Sequence, residues 1–176
     1  MKKFKLTVKI IAIVITVSVA ALAILILYPE NLFGRHTVYK HVSLYSDKPL
    51  NNYSPVIEEA TTIIQTSELF DPHHHYDIFV TGENMYKIIV AKTIGPAMAR
   101  SIDNNILLNA EVDFSENKIF NAYSKRNLEE IAHEMIHCLQ LHKYGIWVFN
   151  PLHQPPTWIT EGYPEFIATL KQRQAP

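Results

Sequence analysis

Cysteine is nearly absent from this 176-residue chain, in which Cys138 is the only one. A single cysteine excludes an internal disulfide. Inside a helix, such a residue is usually a small buried hydrophobic group rather than a reactive thiol. A basic excess is lacking too, with 16 Lys and Arg against 17 Asp and Glu, and no basic cluster is interleaved with aromatic residues. Nucleic acid is therefore not an expected partner.

Repeats are also lacking, and the length and 48% hydrophobic content fit one folded domain. Long hydrophobic runs are lacking except for one, at positions 10–27, which carries no charge. This run is just long enough to cross a bilayer. Four lysines precede it and predict that the N-terminus is cytoplasmic and the remainder extracytoplasmic; they are Lys2, Lys3, Lys5 and Lys9.

Two other interpretations of this run are a cleaved signal peptide and a buried core helix. Ala21 and Ala23 are small enough for a cleavage site, but the apolar residues continue to Leu27. The terminal position and the basic flank argue against a core helix. We therefore expect a cytoplasmic tail and transmembrane signal anchor at 1–28, a linker at 29–36 and a domain at 37–176. This single-pass arrangement would hold the domain outside the cytoplasm.

The most specific motif is His133-Glu134-Met135-Ile136-His137. A helix turns once in about 3.6 residues, so His133 and His137 share one face and can bind one metal ion. Glu134 lies one step round, close to the ion but not bound to it. Two imidazole ligands and a carboxylate that takes a proton from metal-activated water are what a zinc hydrolase needs.

Catalytic zinc needs a third protein ligand. No aspartate follows Asp113, which excludes an aspartate ligand downstream of the motif. Gln140 and Lys143 stand where a metzincin-type site has glycine and histidine. The downstream candidates that remain are His142, His153, Glu161 and Glu165.

The motif at 133–137, followed by Trp158-Ile159-Thr160-Glu161-Gly162, resembles the gluzincin zinc metallopeptidases, and more narrowly the membrane-anchored peptidase-MA-like group. The resemblance implies that Glu161, on a second helix, is the third zinc ligand. It implies that Glu165 orients a ligand histidine. It also implies that residues 105–112 form the edge strand of the cleft, with Asn109 and Ala110 contacting the substrate.

The function implied by this resemblance is a membrane-anchored peptidase that uses Zn²⁺ to hydrolyse a peptide or protein substrate, with Glu134 as the catalytic base. An inactive zinc-binding scaffold or interaction module at the membrane is the alternative. Larger gluzincins place an oxyanion-stabilising tyrosine or histidine much further downstream, and that group has no counterpart here. Tyr144, His153 and Tyr163 are local candidates for its role. A domain without metal, with a coincidental motif, is a third interpretation.

The expected fold is α+β: a zincin-like domain in which a mixed sheet packs on the motif helix, and the third-ligand helix follows. The motif helix is expected from Asn127, through a capping box with Glu130, to a C-terminal cap at Gly145. Pro164 is expected to kink the second helix or to restart it. Strands are expected at 38–45, 76–80, 87–92 and 105–112, a helix from Ser54-Pro55, and a solvated loop at 71–75.

Overall fold

The computed structural model describes residues 2–82, 84–93, 95–120, 125–149 and 155–174. The helices are α1 (Lys2–Leu27), α2 (Tyr53–Ile64), α3 (Met85–Thr93), α4 (Glu130–Tyr144) and α5 (Tyr163–Gln174), with a 3-10 turn at Glu30–Leu32 and a π-helical turn at Trp158–Gly162. The strands are β1 (Arg35–Tyr39), β2 (Val42–Ser46), β3 (Tyr76–Val80), β4 (Ala99–Ile102), β5 (Asn105–Leu108), β6 (Glu111–Asp113), β7 (Lys118–Phe120) and β8 (Lys125–Asn127). The predicted α+β class is confirmed.

Five strands form the main sheet in the order β1-β2-β3-β5-β4. The central strands β2, β3 and β5 are parallel, and β1 and β4 pair with them antiparallel at the two edges. Parallel neighbours need a crossover connection, and α2 supplies it between β2 and β3. The strands β6, β7 and β8 form a second, antiparallel sheet. The predicted mixed sheet is therefore confirmed.

The two faces of the main sheet are buried against different helices. Leu44, Ile78 and Ile106 lie in one cluster with the apolar residues of α2 and α4. Phe79 and Leu107, their sequence neighbours, lie in a second cluster with residues of α3. Successive strand residues point to opposite faces, so strands buried on both sides are apolar throughout. This double burial fixes β3 and β5 in the interior of the sheet.

The strand predicted at 38–45 is two strands. β1 and β2 form an antiparallel hairpin with Tyr39 opposite Val42. Lys40 takes the left-handed conformation with φ 55° in the turn between them. A two-residue hairpin turn needs positive φ values, which only some residues adopt easily. The alternation on both sides of the turn is the same, so the pattern alone predicts one longer strand.

The strand predicted at 87–92 is wrong, because these residues lie in α3. The side chain of Asn84 accepts the backbone N–H of Tyr86 at 2.8 Å and caps the start of this helix. Only Tyr86 and Val90 are buried, and their spacing of four matches a helical face. The β-branched residues of the segment favour a strand locally, and tertiary packing overrides that preference.

The strand predicted at 105–112 is also divided. β5 ends at Leu108, and β6 begins at Glu111 in the other sheet. The N–H of Asn109 still bonds to the carbonyl of Met98, at 2.8 Å. Ala110, fully buried, lies at the bend between the two sheets. The segment therefore turns a corner where the sequence predicts a continuous strand.

The helix α1 is long and apolar enough to cross a membrane over Thr7–Leu27, a test that a signal sequence also passes. Its last carbonyls bond to the domain: Tyr86 donates from its hydroxyl to Ile26 O at 2.7 Å, and Asn105 donates from Nδ2 to Leu27 O at 2.9 Å. The segment predicted as a linker at 29–36 holds a 3-10 turn and the first residues of β1. In this segment, the ring of Phe33 packs 5.2 Å from that of Phe79. The segment predicted as a linker therefore packs against the domain.

Candidate metal centre

The motif helix α4 runs to Tyr144, and Gly145 ends it with φ 76°, as predicted. Its start differs from the prediction. Asn127 lies in β8, where its side chain accepts a hydrogen bond from Lys118, so it does not cap the helix. The pairing of β8 with β7 uses Asn127, and α4 begins at Glu130. The predicted apolar stripe is buried, and its members are Leu128, Ile131, Ala132, Met135, Cys138 and Leu139. Ile136, which was not part of the prediction, is buried as well.

The three predicted ligands lie together at one point. The Nε2 atoms of His133 and His137 are 3.0 Å apart, and each is 3.6 Å from Oε2 of Glu161. In a tetrahedral zinc site with bonds of 2.0–2.1 Å, neighbouring ligand atoms are about 3.3 Å apart. The triangle of these three atoms has nearly that size. Two imidazoles and one carboxylate are also a donor set that zinc accepts, so the residues fit the ion.

Glu161 lies in the π-helical turn that precedes α5. Pro164 follows three residues later and has no N–H to donate to the carbonyl of Thr160, and its ring would press on that carbonyl in a regular α-helix. The wider π turn avoids this conflict, and such turns are frequent at functional sites. The predicted disturbance at Pro164 is thus a change of helix type before the proline. Within this turn, Oε2 of Glu161 lies 3.6 Å from Nε2 of both histidines.

The outer nitrogen of each histidine also has a partner. Nδ1 of His133 is 3.5 Å from Oε2 of Glu165, which is the contact expected for that residue. Nδ1 of His137 is 3.2 Å from Oε1 of Gln140. Such outer contacts fix the orientation of a ligand imidazole and raise its basicity. The sequence prediction missed Gln140, although a spacing of three on a helix would have indicated it.

The surroundings of His137 lower the pKa of its imidazole and so favour the neutral form, which is the form that binds metal. Burial lowers the pKa of His137, and the neighbouring His133 lowers it further. Glu161 acts in the opposite direction and raises this pKa. The net effect is a pKa below the ordinary value for histidine.

Glu134 is buried on the same helix, and burial raises the pKa of its carboxyl to about 7. Ser101 on β4 opposes this shift by hydrogen bonding to the carboxylate. The negative charges of Glu130 and Glu161 raise the pKa further. A carboxyl with a pKa near neutrality can both accept and release a proton at neutral pH. Ser101 is a second residue that the sequence prediction missed, because the strand that carries it was not predicted.

The cleft around these residues has a volume of about 530 Å³, and one of its walls is β4. This strand, at 99–102, is the sheet edge next to α4. The segment predicted to form the edge, 105–112, supplies β5 instead, which lies between β3 and β4. The expectation that 105–112 lines the cleft is therefore wrong. Among the described strands, β4 is the one that lines this cleft, and as an edge strand it has one side of its backbone unpaired.

Asn109 and Ala110, predicted to contact substrate, are both buried at the end of β5. The side chain of Asn109 accepts a hydrogen bond from the hydroxyl of Thr81 at 3.3 Å. Neither residue lines the cleft that contains His133 and Glu161. The structure therefore does not bring them together with the predicted metal ligands.

The remaining candidates have other neighbours. His142, on the last turn of α4, lies 3.6 Å from Asp71. Tyr163 shares a hydrogen bond with Ser67 at 2.8 Å, and Tyr144 stacks on Phe149. His153 lies outside the described residues. None of His142, Tyr144 and Tyr163 lines the cleft that contains His133 and Glu161.

As expected, the side chains of the histidines at 73–75 do not converge on one point. The loop is not wholly solvated, however. His74 is buried, with its ring 4.6 Å from that of Tyr76 and 4.9 Å from that of His142. His75 shares a hydrogen bond with Ser43 at 2.8 Å. His74 thus packs the loop against the end of α4.

Comparison of this chain with protein-family models, with curated proteins and with solved structures finds no match.

Proposed function

We propose that the protein is a zinc-dependent peptidase anchored to a membrane by α1. The observation that carries this proposal is the triangle of His133, His137 and Glu161, with the buried carboxyl of Glu134 beside it. A cleft lies over this group, and the sheet edge beside it is open. The gluzincin resemblance of the motifs is consistent with the same assignment.

His133, His137 and Glu161 would hold Zn²⁺, which when bound lowers the pKa of water toward about 7 and polarises a carbonyl. Glu134 accepts the proton of the attacking water and then donates it to the leaving amine. Its burial supports this role, because a carboxyl with a pKa of about 7 exchanges protons readily at neutral pH. Glu165 and Gln140 keep the two imidazoles oriented.

The substrate would be an extended peptide that lies along β4. The free side of an edge strand can pair with a peptide backbone, and that pairing is independent of sequence. β4 carries Ser101 beside Glu134, so a peptide on this edge passes close to the proposed base. In this proposal, β4 takes the role that the gluzincin resemblance implied for residues 105–112.

The anchor would be α1, whose apolar part, Thr7–Leu27, is about 32 Å long at 1.5 Å per residue. This length matches a hydrocarbon core of about 30 Å. The lysines before it favour a cytoplasmic N-terminus and an extracytoplasmic domain. The domain lies directly against the end of α1, because the carbonyl of Leu27 accepts a hydrogen bond from Asn105.

Metal analysis of the purified full chain tests the zinc claim. We expect one zinc per chain in the wild type and a strong loss in His137→Ala, while His73→Ala, at an exposed histidine, keeps its zinc. Equal and negligible zinc in all three would refute the metal site. A peptide library then tests catalysis: Glu134→Gln should keep zinc and lose turnover. Wild-type cleavage rates in that variant would refute the mechanism.

A zinc-binding module without peptidase activity is the second candidate. The observation that favours it is that neither Tyr144 nor Tyr163, the described candidates for the oxyanion role, lines the cleft that contains His133 and Glu161. This candidate predicts bound zinc, lost in His137→Ala, with no cleavage of any peptide in the library. Zinc with cleavage that depends on Glu134 would exclude it.

A further inference from the structure

An exposed apolar turn follows the motif helix. We call residues 144–148 the apolar turn. Trp147 is 89% exposed, and Ile146 is 59% exposed. Tyr144 and Val148 are exposed as well. A cluster of large apolar side chains in water marks a surface that another phase or molecule covers, and tryptophan is enriched where proteins meet the membrane–water interface.

The apolar turn has a defined conformation. Gly145 adopts φ 76°, where other residues are strained, and its carbonyl accepts the N–H groups of Val148 and Phe149, both at 3.1 Å. The ring of Phe149 stacks on that of Tyr144 at 5.7 Å. Ile146 and Trp147 lie between the residues that these hydrogen bonds join.

The end of α1 identifies which part of the domain lies closest to the proposed membrane. Leu27 is the last residue of the apolar span, and its carbonyl accepts a hydrogen bond from Asn105, the first residue of β5. Tyr86 bonds to the preceding carbonyl. The amino end of β5 therefore abuts the point where α1 would leave the bilayer.

A short series of contacts connects this point with the apolar turn. The residue before Asn105 accepts the N–H of Asp77 at 3.0 Å, so β3 begins at the same end of the sheet. His74 precedes β3, and its ring lies 4.9 Å from that of His142, in the last turn of α4. Tyr144, where the apolar turn begins, is two residues further on. The end of α1 and the apolar turn thus share one end of the molecule.

We propose that the apolar turn inserts into the headgroup boundary of the same bilayer that α1 crosses. The inference rests on the proposed anchoring by α1. Lipid is the occupant that fits, because the turn lies at the end of the domain that α1 holds against the membrane. Exposed Lys143 stands beside the turn and can meet lipid phosphate. With α1, this second contact fixes which face of the domain meets the bilayer.

The test uses the full chain in phosphatidylcholine vesicles. Trp147→Cys and Glu111→Cys each receive a fluorescent thiol label; Glu111 is exposed beyond the carboxyl end of β5, opposite to Asn105. The native Cys138 is buried and does not compete for the label. Lipids with a spin-label quencher high on the acyl chain should quench the label at 147. They should leave the label at 111 unquenched.

Flotation of the vesicles reports the anchor separately. If the chain floats and the label at 147 is quenched no more than that at 111, the lipid contact is refuted while the anchor stands. If the apolar turn instead binds another protein or a second copy of this chain, vesicles of lipid alone also leave the label at 147 unquenched. If the chain does not float, the anchor and the inference fail together.

A second variant adds a control on the apolar side chains. Ile146→Asp and Val148→Asp, placed together in the labelled Trp147→Cys chain, should abolish the quenching at 147. Both residues are exposed, so the thermal unfolding midpoint should stay near that of the parent chain. Quenching that persists with both charges in place would refute insertion of the turn.

Discussion

Gln140 and Ile159 are joined by a hydrogen bond of 2.6 Å, from Nε2 of the side chain to the backbone carbonyl. The other end of the same amide, Oε1, lies 3.2 Å from Nδ1 of His137. Gln140 is almost fully buried. One side chain therefore connects a predicted ligand on α4 with the π-helical turn that carries Glu161.

Gln140→Met should lower zinc affinity, because it frees the imidazole of His137 and leaves the carbonyl of Ile159 without its donor. Loss of such an outer contact typically costs about 10- to 100-fold in metal affinity. Competition with a chromophoric chelator measures the change. Gln65→Met, the same substitution at an exposed glutamine after α2, is the matched control and should bind zinc as the wild type does. Unchanged affinity in Gln140→Met would show that this amide does not support the site.

Glu161 and Glu165 should differ in effect, although both are exposed acidic residues close to His133. Glu161→Ala removes a proposed ligand and should give the larger loss of zinc. Glu165→Ala removes only a partner of Nδ1 and should cost about 10- to 100-fold in affinity. Isothermal titration of zinc into the metal-free chains compares them, with Glu68→Ala as an exposed control. The reverse order of losses would exchange the two assignments.

Pro164→Ala should restore the N–H that a regular helix donates to Thr160. We expect the π-helical turn to tighten and rotate Glu161 away from His137, so that zinc affinity falls. The free energy of unfolding should change little, because a regained hydrogen bond of about 1 kcal/mol offsets a loss of similar size from the greater freedom of the unfolded chain. Zinc titration and urea unfolding measure the two effects. Wild-type zinc affinity would show that the proline does not set the position of Glu161.

His74 should make the metal-free protein less stable at low pH. Burial lowers the pKa of His74, and the nearby His142 lowers it further. Below the ordinary pKa of 6.5, the unfolded chain binds a proton at His74 that the folded chain does not. The free energy of unfolding therefore decreases as the pH falls below 6.5. Urea unfolding above and below pH 6.5, in wild type and in His74→Leu, gives the effect of His74 as the difference between the two chains. An identical pH dependence in both would refute the prediction.

The parts of this protein that the sequence predicts well are those set by local spacing. The apolar stripe of α4 follows from side chains three and four positions apart, and its burial agrees with the prediction. The histidines four apart face one another at 3.0 Å for the same reason. The end of α4 at Gly145 follows from the conformational freedom of glycine. The apolar length of α1 depends on composition alone.

The sequence predictions fail where long-range packing decides. Residues 87–92 have strand-forming side chains, and they form a helix because Asn84 caps it and Tyr86 and Val90 pack on the sheet. Residues 105–112 were expected to form the edge, yet β5 lies inside the sheet, and 99–102 takes the edge position. No local pattern encodes the order of strands in a sheet.

The sequence by itself determined the two histidines, the carboxylate between them and the long apolar run of α1, because each depends on residues close together in the chain. Only the tertiary structure decided that Ser101 reaches Glu134, that Gln140 joins α4 to the turn of Glu161, and that β4 forms the edge. It also decided that the apolar turn lies at the same end of the domain as the last residue of α1. These relationships join segments distant in the chain, and they exist only after the sheet and its two faces have been packed.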